Sequence, residues 1–352
     1  MLRCVEVDEN KIKYFLNFPK YLYKNELCTQ DRKLEESILL KTHILSSTFE
    51  VIPFIVLSNN ITVARCILTY YPISTTGFVG FFVSVNSKEG VKCLFDSVID
   101  KAKSIGLCEL VGPINCAIWL GYRFKVDNFD SYYTGEPYNK FYYKDLWESV
   151  GFSVCENYYS DRLRIPVPAD KDEKIIRVSE KLASRRNYTW VKMSNSNFDV
   201  CLKDIYGLLI DLYNFFPYFS DLSIEQFCSL YSGLKSVLNY NMVHLVYSED
   251  KLVGYLIAIP NYAEHQYSKS PFKFMKLLSI KDNPKDYVTM YIGASPRHLG
   301  LGGILAEKAR QYYEDNNCMS VNALIHRGNQ SGKLYNKLTI NEYNYVLLKL
   351  KL

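Results

Sequence analysis

Apolar and polar positions along this chain form two similar series. Residues 54–57 and 61–71 are apolar-rich runs joined by Ser58-Asn59-Asn60. Residues 242–247 and 252–259 are apolar-rich runs joined by Ser248-Glu249-Asp250-Lys251. Two short apolar runs separated by a few polar turn formers predict a β-hairpin. Behind the first hairpin, residues 77–83 read as a strand, and residues 88–104 place Val91, Leu94, Phe95, Val98 and Ile99 at helical spacing. Residues 107–111 read as the next strand. Behind the second hairpin, residues 287–292 read as a strand, 305–314 as a helix, 320–325 as a strand and 344–350 as a closing strand. The repetition lies in the order of elements and hardly in the letters.

This order predicts an α/β fold, two tandem α+β domains, each with a mixed sheet. The boundary falls near Ile165-Pro166-Val167-Pro168-Ala169-Asp170-Lys171-Asp172, where two prolines and a charged run make a linker. Residues 1–165 then form the first domain, 166–175 the linker and 176–352 the second domain. A length of 352 residues agrees with about two domains.

The second half holds a feature that the first lacks. Between its strand and helix runs stands Pro296-Arg297-His298-Leu299-Gly300-Leu301-Gly302-Gly303-Ile304. Backbone N–H groups at a helix N-terminus carry partial positive charge, and glycines let the backbone approach an anion closely. The fixed positions are Arg297, Gly300 and Gly302. The spacing is not that of the dinucleotide fingerprint, and no Gly-Lys-Ser/Thr follows as in a P-loop. The plainer reading of so short a pattern is a tight strand-to-helix turn. At the equivalent place the first half reads Ser84-Val85-Asn86-Ser87-Lys88-Glu89-Gly90, without the glycine loop.

The Arg-x-x-Gly-x-Gly pattern resembles the pyrophosphate loop of the GNAT superfamily of N-acetyltransferases. The hairpin before it and the segment Gly328-Asn329-Gln330-Ser331-Gly332-Lys333-Leu334-Tyr335-Asn336-Lys337-Leu338 after it are similar to that family's layout. The likeness covers about residues 190–352. Through element order the whole chain resembles tandem GNAT proteins, among them zwittermicin- and paenilamicin-type antibiotic self-resistance acetyltransferases. Gly112-Pro113-Ile114-Asn115 and Glu136-Pro137-Tyr138-Asn139 add to this. Two departures stand out. The spacing from Asn329 to Tyr335 is one residue short, and Thr339-Ile340 replaces the usual Gly-Phe. The first half keeps Gly151-Phe152 behind its own Tyr142-Tyr143.

The resemblance implies two tandem acyl-CoA N-acyltransferase folds with acetyl-CoA as co-substrate of the second. The pyrophosphate would lie on the amides of His298, Leu299, Gly300, Leu301, Gly302 and Gly303, beside Arg297. Pantetheine would pair with the strand end at Met290, Tyr291 and Ile292, and with Asn329. The implied reaction is direct transfer of acetyl to a primary amine of a small molecule, a cationic peptide antibiotic in the self-resistance case. Tyr335 would be the acid, because a phenol with a reference pKa of about 10 keeps its proton at neutral pH. Its plainer reading is a core aromatic in a chain with 30 tyrosines. An aminoacyl or longer-chain acyl transferase and a non-catalytic CoA-binding module stay open as alternatives.

The base is not singled out. Glu264, Asp221, Glu225 and His244 are candidates, each also readable as a solvated surface residue. His298 and His326 fall near the expected cofactor, with structural roles equally open. Tyr132, Tyr133, Tyr138, Phe141, Tyr142 and Tyr143 read as acceptor lining or as packing. Glu136 and Asp130 are candidate carboxylates for a cationic acceptor.

Composition narrows the partners. The net charge of +5 is spread without a basic block, which argues against a nucleic-acid binder and suits a polyanionic cofactor. The ten cysteines include no Cys-x-x-Cys pair, and no His pair has metal-ligand spacing, so isolated reduced thiols, several of them buried in apolar runs, and no metal are expected. No stretch of about 18 apolar residues predicts a membrane span. Residues 1–8 lack a signal-peptide core, so a cytoplasmic protein is expected.

Overall fold

The computed structural model describes residues 1–24, 26–266, 270–328 and 336–352. In chain order the first stretch runs β1 (Leu2–Glu6), α1 (Ile12–Leu22), α2 (Arg32–Leu39), β2 (Glu50–Ser58), β3 (Ile61–Tyr70), β4 (Thr76–Ser84), α3 (Lys88–Ser104), β5 (Glu109–Gly112), β6 (Phe124–Lys125), α4 (Tyr143–Glu148) and β7 (Ser153–Leu163). The second runs α5 (Glu173–Arg185), β8 (Tyr188–Lys192), α6 (Phe198–Tyr213), α7 (Ile224–Tyr231), α8 (Leu234–Val237), β9 (Val243–Ser248), β10 (Lys251–Pro260), α9 (Ala263–Gln266), α10 (Lys273–Asp282), β11 (Asp286–Ala294), α11 (Leu301–Asp315), β12 (Met319–His326) and β13 (Thr339–Lys351). None of the described helices is long and apolar enough to cross a membrane.

The chain divides into two compact units. The first comprises Met1–Ser131, Pro137–Asn157 and Asn344–Leu352; the second comprises Tyr132–Glu136 and Tyr158–Tyr343. The expected linker at 166–175 is a short 3-10 turn, Pro168–Asp170, leading to the start of α5, and the whole of it belongs to the second unit. The C-terminal residues return to the first unit.

In the first unit β1 to β4 form an antiparallel series, β5 runs parallel to β4, and the end of β13 closes the sheet beside β5. Successive residues of a strand point to opposite faces. Ala64, Cys66 and Leu68 of β3 therefore join the core under α3, with Leu94, Phe95 and Trp147, while Arg65 points the other way, to α1 and α2. There its guanidinium grips Glu35 with two hydrogen bonds of 2.8 and 2.7 Å and donates to the carbonyl of Phe15.

In the second unit β8 to β11 are antiparallel, β12 runs parallel to β11, and β7 closes the sheet beside β12. α11 and α5 cover one face; α6 and α7 cover the other. Both predicted hairpins are present. Their two-residue loops, Asn59-Asn60 and Glu249-Asp250, have all four φ values between 48° and 65°, the left-handed pairs that match the twist of hairpin strands.

Candidate functional site

The strand–loop–helix predicted around Gly300 is present, but α11 begins at Leu301, four residues before the periodicity at 305 suggested. Gly302 and Gly303 thus lie in the first helical turn. The chain leaves β11 with the Ser295 amide bonded to the Val253 carbonyl at 2.8 Å. Pro296 opens a turn that the His298 amide closes onto the Ser295 carbonyl, also at 2.8 Å. Gly300 then takes φ +93°, where a side chain is strained, and a Cβ there would stand 2.9 Å from Val178 of α5. This glycine is needed by the fold itself.

Gly302 is different. A Cβ added there would meet no heavy atom within 4 Å. Neither packing nor backbone angle calls for glycine, and within a helix glycine costs about 1 kcal/mol relative to alanine. The first-turn amides of a helix have no acceptor inside it. Among the described residues no side chain caps α11, and its first turn holds no acidic residue. The result is a bare, positively polarised helix start with open space beside Gly302.

Two side chains hold the loop from α5 and β8. Arg186 donates to the Arg297 carbonyl at 3.2 Å and to His298 Nδ1 at 3.1 Å, and the Tyr188 hydroxyl meets the same nitrogen at 2.9 Å. A guanidinium can only donate, and its shorter contact is to Nδ1, which favours a neutral imidazole accepting at that nitrogen. Burial and the neighbouring Arg186 charge push the His298 pKa down, in keeping with this. His298 therefore shapes the loop. Arg297 and Leu299 project from it, Leu299 with 83% of its surface exposed.

Behind the loop, β11 and β12 part. Their parallel pairing runs from Asp286/Met319 to Thr289/Asn322 and ends there. On its other side β11 slips register with β10 so that Met290 is the bulged residue between Thr289 and Tyr291. A bulge re-aims the strand that carries it. β12 bends at the same level: Leu324 has φ +70°, and its amide donates to Ser160 Oγ at 2.9 Å. From Met290 onward the edge of β11 that faced β12 has no ladder partner among the described residues. Tyr291 turns to α7, where its hydroxyl meets that of Tyr231 at 2.9 Å; Ile292 packs on the α11 face with Leu163, Ala306 and Leu338. The three predicted pantetheine residues thus sit where the strands separate.

The first unit closes the corresponding place from within. Pairing of β4 with β5 ends at Phe78/Val111, yet the following residues stay against β4. The Ile114 amide bonds to the Val79 carbonyl at 2.9 Å, and the Phe81 amide donates to Asn115 Oδ1 at 2.7 Å. A Cβ on Gly80 would lie 2.1 Å from the Ile114 carbonyl oxygen, so the backbones touch. The start of α3 is also occupied, since Ser87 Oγ accepts from the Gly90 amide and Glu89 stands in the first turn.

The remaining candidates scatter. Asn329 and Tyr335 lie outside the described residues. His244 is on β9 beside Trp190, and burial together with Lys308 holds its pKa near 4. Glu225 is tied by Ser223 at the exposed start of α7, which lowers its pKa, and Asp221 and Glu264 are exposed. His326 packs its ring on Tyr158 and Phe216. Tyr142 and Tyr143 are packing residues of the first unit, bonded to the Ser84 carbonyl and to the Tyr23 hydroxyl at 2.9 Å each. Tyr138 and Phe141 also belong to that unit, as does the exposed Asp130.

Tyr132, Tyr133 and Glu136 belong to the second unit. Tyr133 bonds Ser160 at 2.8 Å, Thr134 Oγ1 accepts from the Tyr262 amide at 2.6 Å, and Gly135 stands against Met290. This segment carries the buried Glu136 to the bulge. Sequence reasoning missed Arg186 and Tyr188 altogether, because nothing near them in the chain marks them as loop supports.

Comparison with known proteins agrees with this architecture. No protein-family model and no curated protein matches the sequence. Solved structures do. A tandem GNAT protein from the clavulanic acid biosynthesis pathway superposes with a TM-score of 0.54 at 11% identity, covering 100% of this chain and 98% of its own. A conserved protein of unknown function from Enterococcus faecalis V583, described as a probable N-acyltransferase, gives 0.51 at 9% identity over 100% of this chain and 73% of its own. A GCN5-related N-acetyltransferase from Anabaena variabilis gives 0.51 at 7% identity, over 99% and 72%. The chain has a tandem GNAT fold, two mixed-sheet units in one polypeptide.

Proposed function

We propose that this chain is an acyl-CoA-dependent N-acyltransferase whose second unit uses acetyl-CoA and whose first unit binds no CoA. The observation that carries this reading is the bare start of α11, with a glycine at 302 that nothing inside the protein requires. It follows β11 just beyond the point where the pairing of β11 with β12 ends. The amides of residues 298–303 would hold the pyrophosphate, and the edge of β11 beyond its pairing with β12, at Met290, Tyr291 and Ile292, would pair with the pantetheine amides, as a sheet edge pairs with any extended chain. Bound there, acetyl-CoA supplies an activated acetyl thioester. The protein's part is to exclude water, orient the amine and move protons. The acceptor is a primary amine of a small molecule; a cationic peptide antibiotic is the finer form of this reading, and Glu136 would be the carboxylate that meets its charge.

Calorimetric titration of the full chain with acetyl-CoA tests the first part. One site per chain is expected. Two sites would mean that the first unit is not closed, and no binding to folded protein would end the acetyl-CoA reading and bring forward aminoacyl transfer. Tyr335, assigned as the acid by resemblance alone, has its own test. Tyr335→Phe should lower kcat about 100-fold, the scale of general acid catalysis, with acetyl-CoA affinity unchanged. Unchanged kcat across pH would remove Tyr335 from the chemistry.

A further inference from the structure

The rung of the second sheet at which β11 and β12 part sets a buried acceptor without a donor among the described residues, Asn322 Oδ1, beside a largely buried carboxylate, Asp161. Asp161 of β7 lies in register with Asn322 of β12, and Asn322 with Thr289 of β11. In-register neighbours share a face. Thr289 Oγ1 meets the Tyr313 hydroxyl of α11 at 3.2 Å, so all three point to the α11 side. Asp161 is only 4% exposed and Asn322 8%. The Asn322 Oδ1 has no hydrogen-bond partner, and no hydrogen bond reaches the Asp161 carboxylate among the described residues. Buried polar groups are normally satisfied, and an unsatisfied carboxylate is costly. Two hydrogen-bond acceptors side by side suit one chemical class of ligand, an N–H donor such as an amine.

We propose that Asp161 is the proton acceptor of the transfer reaction and that Asn322 beside it helps to seat the acceptor amine. This rests on the acyl-transfer reading above. As the nitrogen–carbon bond forms and the carbon–sulfur bond breaks, one proton leaves the amine nitrogen. The Asp161 carboxylate takes it, the departing thiolate is protonated by the acid of the reaction, and proton exchange with solvent restores both groups, so that amide and free thiol result. The charged and titratable groups around Asp161 are Tyr159 on its own strand, Arg327 beyond β12 and Glu342 on β13. Burial, then the Glu342 charge, raise its pKa to about 6, against the opposing pull of Arg327. A carboxylate so placed is ionised at neutral pH, yet more basic than an ordinary one and a better proton acceptor.

The test is Asp161→Asn in the full chain. Wild-type kcat/KM for a primary amine should fall as pH drops through about 6, because the base is then protonated. The variant should keep wild-type acetyl-CoA affinity by calorimetry, lose about 100-fold in kcat and lose that acid limb. A second readout needs no substrate. A folded-state pKa above the unfolded one gives stability that is present at low pH and disappears as pH rises through the folded value. The neutral asparagine should therefore melt a few degrees above wild type at pH 8 and level with it near pH 4.

A variant with wild-type kcat and an intact acid limb overturns the proposal. So does a variant less stable at pH 8, which would show a structurally satisfied carboxylate. Failure of the underlying function looks different: wild-type protein that binds no acetyl-CoA at all.

Discussion

Gly302→Trp should reduce acetyl-CoA affinity at least 100-fold in calorimetric titration while leaving the melting temperature within a few degrees of wild type. The two halves of this expectation come from one fact: a Cβ at 302 meets nothing within 4 Å. A Cβ has room there, the side chain can point outward, and any residue other than glycine or proline improves helix propensity at that position. It would, however, stand in front of the first-turn amides, where the pyrophosphate must approach backbone directly. Gly300→Val is the counterpart. That position has φ +93° and Val178 at 2.9 Å from a would-be Cβ, so the substitution should destabilise the fold. Measuring both separates a ligand glycine from a structural one. Equal affinity in Gly302→Trp would refute the loop assignment, and a large loss of stability would refute the open space.

The largest effect on folding is expected at the other end of the chain. Glu35→Ala should destabilise the first unit by about 3–5 kcal/mol, read as a shift in denaturant midpoint. Arg65 and Glu35 have side chains only 2% and 5% exposed, joined by two hydrogen bonds, with the guanidinium 4.2 Å from the Phe15 ring. Removing the carboxylate leaves a buried cation with one carbonyl and one ring for company, which is much worse than removing both charges. The pair Glu35→Leu with Arg65→Met should accordingly recover most of the loss. If the single variant costs under about 1 kcal/mol, water reaches this pair and it is no part of the core.

The sequence made the hairpins and the cofactor strand legible because each is a local pattern. Ser58-Asn59-Asn60 and Ser248-Glu249-Asp250-Lys251 hold the turn formers between apolar runs. The start of α11 was misplaced by four residues because glycines 302 and 303 oppose helix by propensity, and tertiary packing from α5 on Gly300 and Gly303 overrides them. That local conflict fell at the candidate site, where such conflicts are expected.

The destinations of β7 and β13 could not be read, since a strand's own alternation says nothing about which strand it will join. Asp161 was missed for a related reason. Between Ser160 and Arg162 it reads as one more solvated residue; only its register with Asn322 buries it. Glu136 was noticed from the sequence, but what brings it to Met290 is the excursion of residues 132–136 into the second unit.

That exchange of segments bears on how the protein is made. Among the described residues β5 gains its outer neighbour from residues 348–351, far along the chain from β5 itself. During synthesis most of the first unit leaves the ribosome well before residues 348–351, so it waits with a sheet edge uncovered, and such edges invite aggregation. Nascent chains stalled or cut anywhere before Asn344 should therefore need a chaperone, and a gene fragment ending near residue 165 should give insoluble product.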